Sequence, residues 1–144
     1  MESEFYKKLR NILKSDSRYK LEAYEFLMQA LFYAQSKLDR QGHVSGKELL
    51  FGIKEYGVQQ FGPLTQTVFE QWGVKNTLDF GEIVFSLVNN DLLKKTDEDS
   101  LGDFKEVYEF KDAFCKEYEK NLSEDIKREL RLPDDTKEKD NKKV

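Results

Sequence analysis

The chain has 144 residues, with 24 Lys and Arg against 28 Asp and Glu, a net charge of −4, and 38% hydrophobic and 13% aromatic side chains. That length and apolar content suit one domain around one modest core, and no apolar run approaches the length of a transmembrane helix. A single cysteine, Cys115, excludes an internal disulfide and a CxxC zinc site, and a single histidine, His43, excludes a multi-histidine metal centre.

The charge is unevenly spread. Only 9 of the 53 residues from 41 to 93 are charged, against 29 of the 51 from 94 to 144. Desolvating an unpaired charge costs several kcal/mol (roughly), so the middle segment is expected to be the most buried and the last third mostly surface. Residues 133–144 have almost no apolar side chains and are expected to form a disordered, charged tail. Residues 1–132 are then one mainly helical domain. The first residues lack the apolar stretch of a signal peptide, which points to the cytoplasm.

In chain order, a short helix is predicted over residues 3–14, with Phe5, Leu9, Ile12 and Leu13 on one side. Asp16 and Ser17 offer a cap for a helix from about Tyr19 to Lys37. The stripe of that helix includes Ala23, Phe26, Leu27, Ala30, Leu31 and Ala34. After Gly42, Ser45 and Glu48 have capping-box spacing, and Val44 and Leu49 are placed as its hydrophobic staple. This third helix stops before Gly62-Pro63. Pro63 suits the first turn of a fourth helix, and Gly73 suits its left-handed end. Asn76 or Thr77 caps a fifth helix, with Asp79 in the first turn where the helix dipole favours an anion. Residues 92–96 and 107–110 read as two strands of a small hairpin, followed by a last helix carrying Phe114, Tyr118 and Leu122.

Two helices joined at a glycine and followed by a hairpin make a winged-helix-like portion over residues 64–110. Residues 77–90 then stand in the recognition position. The fold class expected is mainly α, a compact helical domain with a small C-terminal β-hairpin. An irregular helical bundle with a long polar loop is the alternative.

Several short motifs occur in a fixed order between about residues 19 and 118. They are Gly42-His43-Val44-Ser45-Gly46-Lys47-Glu48-Leu49, Phe61-Gly62-Pro63, Trp72-Gly73, Asp79-Phe80-Gly81, Asp99-Ser100, Asp103-Phe104, Tyr108-Glu109-Phe110 and Ala113-Phe114. Together they resemble an uncharacterised bacterial domain family. The resemblance implies a bacterial cytoplasmic setting and a single compact domain, and it brings no catalytic residues and no substrate.

Four kinds of chemistry are weighed on the residues themselves. A winged-helix DNA-binding regulator needs cations on its reading surface. Residues 97–125 instead carry 11 acidic and 4 basic side chains, which disfavours nucleic acid. Calcium loops ending at Glu48 or Glu82 put Lys37 or Gln71 at the first ligand position, so no metal is assigned. An enzyme would rest on an acid–base site around His43, with Glu48 or Asp79 as its carboxylate. Cys115 reads as an unreactive thiol. No cofactor motif is present. Phe32 and Tyr33 lie off the main stripe of the second helix, and two apolar faces on one helix mark deep burial or a contact surface. They are the candidate partner patch, for an unidentified protein or a second copy. The expected function is a non-enzymatic protein–protein interaction or scaffold module. Gly42, His43, Ser45, Glu48, Gly62, Pro63, Trp72, Gly73 and Asp79 are expected to cap, turn and pack.

Overall fold

Side-chain caps set three of the five α-helix starts in the computed structural model, which describes residues 3–39, 42–94, 101–116, 124, 126 and 128–130. Helix α1 (Glu4–Ser15) begins where the Ser3 hydroxyl accepts the Tyr6 amide. Helix α3 (Gly46–Phe61) begins with the full capping box. The Glu48 amide donates to Ser45 Oγ at 3.1 Å, and the Ser45 amide donates to Glu48 Oε1 at 2.9 Å. A 3-10 turn (Gly62–Leu64) leads into α4 (Thr65–Gln71), and α5 (Thr77–Asn89) starts where the Asn76 side chain accepts the Asp79 amide at 3.0 Å.

Helix α2 (Leu21–Lys37) is capped differently from the expectation. Its N-cap is Lys20, which makes no side-chain cap bond. The Lys20 amide instead donates to the Trp72 carbonyl at 3.0 Å, a tertiary bond that meets one of the orphan donors at the helix start. Asp16 turns back on Arg18, accepting its amide at 3.0 Å and pairing with its guanidinium at 2.8 Å. That guanidinium holds the Asp16 carboxyl below the ordinary range.

The hairpin is not found among the described residues. Residues 91–93 run as turn and bend, and residues 95–100 lie outside the described ones. The chain then forms a 3-10 turn (Leu101–Phe104), passes through irregular backbone, and enters a π-helical turn (Lys111–Lys116). The reason is packing. Phe104, Phe110, Ala113 and Phe114 are all buried, and each sits in the core instead of alternating across a strand pair. The last third therefore adds side chains to the core that its charge density did not suggest. Tyr118, Leu122 and the tail 133–144 lie outside the described residues.

Phe69, on α4, is the hub of that core. Its ring meets Phe26 and Phe80 at 5.1 Å, Phe114 at 5.3 Å and Phe110 at 5.7 Å. Edge-on ring pairs of this kind add about 0.5–1.5 kcal/mol each beyond area burial. Helices α2 and α3 make the most extensive helix–helix contact. Gly52 allows their close crossing, since a Cβ there would lie 2.8 Å from the Ala34 methyl. Among the described residues, no helix is long and apolar enough to cross a membrane.

Candidate functional site

Two concavities flank the α2–α3 pair, and the sequence motifs hold the frame around them. The loop between these helices is fixed at one end by the Ser45–Glu48 box and at the other by Gln35, whose Nε2 donates to the Gly42 carbonyl at 3.0 Å. This places His43, which is exposed, on the lining of a groove of about 430 Å³. Leu31 of α2 and Val84, Phe85 and Val88 of α5 form its walls, and Phe104 also contributes. Among the described residues, its polar side chains are Gln35, His43 and Lys94.

Phe104 lines this groove by a fit that spans three segments. A Cβ on Gly81 of α5 would come within 2.7 Å of Phe104 Cβ, and one on Gly46 of α3 within 3.1 Å of its ring. The two glycines form a slot that a methyl group on either would narrow. Sequence reading missed this role for Gly46 and Phe104. The available signal was glycine inside an otherwise apolar helical pattern, which marks close approach. Tyr108 was missed as well. Its hydroxyl donates to the Leu50 carbonyl at 2.7 Å, and burial pushes its phenol pKa up.

The second concavity is a recess of about 210 Å³ at the α2–α3 crossing. Tyr33, Leu38 and Phe51 supply its apolar surface, and Lys37, Glu48 and Glu55 also line it. Phe51 is 52% exposed and Leu38 38%. Tyr33 is half-buried, and its hydroxyl donates to Glu55 Oε2 at 2.9 Å and accepts from Gln59 at 3.0 Å. Burial and then the Glu55 carboxylate raise its phenol pKa. Phe32 is 62% exposed and does not line this recess. One residue advances a helix by about 100°, so the neighbours Phe32 and Tyr33 face different surroundings.

The remaining motif residues work as a brace. Gly62 takes φ of 54° at the end of α3, exposed Pro63 opens the 3-10 turn, and buried Thr65 donates to the Gly62 carbonyl at 2.7 Å. Trp72 stacks near Phe26, Phe61 and Phe69. Gly73 takes φ of 93°, and a Cβ there would overlap the Arg18 carbonyl oxygen, so only glycine fits. Asp79 accepts the Tyr19 hydroxyl at 2.7 Å and the Lys75 amide at 2.8 Å. Burial, followed by that carboxylate, drives the Tyr19 phenol pKa up.

This bracing also shows what the two carboxylates weighed as partners of His43 do. Asp79 uses both oxygens on Tyr19 and Lys75, and Glu48 uses Oε1 on the Ser45 amide. The first turn of α5 is likewise covered. Thr77 is buried and accepts the Val107 amide, and Glu82 lies 3.6 Å from the Arg18 guanidinium. Among the described residues, no three His, Cys, Asp or Glu side chains gather as a metal site. No family model, curated protein or solved structure matches this chain.

Proposed function

We propose that this chain is a non-enzymatic protein–protein interaction module of the cytoplasm, and that an apolar side chain of a partner protein enters the recess at the α2–α3 crossing. The observation that carries this reading is Phe51, left 52% exposed beside Leu38 and Tyr33 over a concave floor. An apolar ring at such a position gains most when a partner removes it from water, and interface energy concentrates in a few anchors of this kind. The floor is tightly packed, since a Cβ on Gly52 would lie 2.8 Å from the Ala34 methyl across the helix crossing. Lys37 and Glu55, whose charged atoms lie 4.0 Å apart, supply a rim of both signs suited to a polar interface edge.

Acid–base catalysis finds less support, because both Asp79 oxygens are engaged by Tyr19 and Lys75. DNA reading finds less support as well, because the first turn of α5 is packed against the α1–α2 connection and residue 107.

A photo-crosslinking residue placed at position 51, and in parallel at Leu64 (61% exposed and outside the recess), tests the reading in the source cells. The expected result is a discrete adduct from position 51 that is missing from position 64. Its mass tells a partner protein from a second copy. Equal labelling from both positions, or none from position 51, rejects the proposal.

A further inference from the structure

We infer that the groove between α2 and α5 is a second, separate site, and that it binds a small amphiphile with an aliphatic body and one carboxylate head. This stands whether or not the α2–α3 recess receives a protein.

The walls argue for the body. Leu31, Val84, Phe85 and Val88 are all only half-buried, so each presents apolar surface to the same empty space. A volume of about 430 Å³ falls in the range of small-molecule sites, which combine mostly apolar walls with a few placed polar groups. Part of the lining is firmly held. Phe104 is 2% exposed and sits in the slot made by Gly46 and Gly81, so it is a packed ring.

The polar groups argue for the head. Among the described residues that line the groove, Lys94 is the one charged side chain and there is no carboxylate. Both Lys94 and His43 are exposed, which puts them at the mouth. An anionic head there stays in contact with water and meets an ammonium, so it avoids the cost of full burial while its alkyl body goes in. A cationic head would meet Lys94 with the same sign. A purely apolar ligand would leave Lys94 without a role.

Calorimetric titration of the purified full chain with hexanoate, octanoate and decanoate tests the inference, with decanol and decylamine as head-group controls. Saturable binding is expected, with affinity rising about fourfold per added methylene until the groove is full. Decanoate should bind more tightly than decanol, and decylamine most weakly. In Lys94→Gln the advantage of decanoate over decanol disappears while the gain per methylene remains. Val88→Trp, which fills the groove, should abolish binding of every member of the series. Non-saturable binding, equal affinity for decylamine and decanoate, or an unchanged head-group preference in Lys94→Gln would overturn it. The Lys94 side chain is exposed, so that variant decides the matter even if Val88→Trp fails to fold.

Discussion

The braced positions of the molecule and its open positions use the same residue types for opposite ends. At the braced positions, glycines sit close against a second segment. Gly73 lies against the Arg18 backbone, Gly81 against Phe104, and Gly57 within 3.0 Å of Phe69 measured from a Cβ position. The rings of Phe69, Phe80 and Phe104 there are buried. At the open positions, a Cβ on Gly42 would meet nothing within 4 Å, and Phe51 and Phe32 are 52% and 62% exposed. Residue type alone does not separate these uses. What separates them is whether a second segment arrives to cover the position.

The contrast can be broken by substitution, and the largest effect belongs to the braced positions. Gly73→Ala requires a positive φ from an L residue and a displaced Arg18 backbone, so a loss of about 4 kcal/mol or more is expected in urea unfolding. Phe104→Ala empties the Gly46–Gly81 slot and should cost about 3–4 kcal/mol by the same measurement. Ser45→Ala removes one half of the capping box, for about 1 kcal/mol. The smallest effect is expected at Tyr24, whose buried hydroxyl has the Ser86 side chain near it and makes no well-formed hydrogen bond among the described residues. Tyr24→Phe deletes a weakly bonded hydroxyl and keeps the ring, so its melting temperature should stay close to that of the parent chain.

The parts of the fold legible in the sequence are those decided within four residues. The Ser45–Glu48 box, the Asn76 cap and the left-handed Gly73 follow from chemistry between near neighbours, and all three are present. Other features depend on distant segments. Asp16 lost the α2 cap because the Trp72 carbonyl, far along the chain, takes the Lys20 amide. The apolar spacing of residues 107–110 fits a strand as well as it fits a chain anchored by Tyr108 and Phe110, and the aromatic core favours the anchors. Likewise, the groove draws its lining from α2, the α2–α3 loop, α3, α5 and the segments after it, so no local pattern could reveal it. Phe32 and Tyr33 both lie off the main apolar stripe of α2, which groups them as one patch. The helix turns them apart, and the exposed neighbour of Tyr33 at the recess is Phe51.

The open positions are tested most directly by Phe51→Ser. This variant should unfold within about 0.5 kcal/mol of the parent chain, as surface changes do, yet lose the partner adduct trapped beside the recess when the crosslinker is moved to Leu38. A variant that unfolds much more easily, or one that keeps the same adduct at the same yield, would show that Phe51 is a packing residue and that the recess is not a docking site.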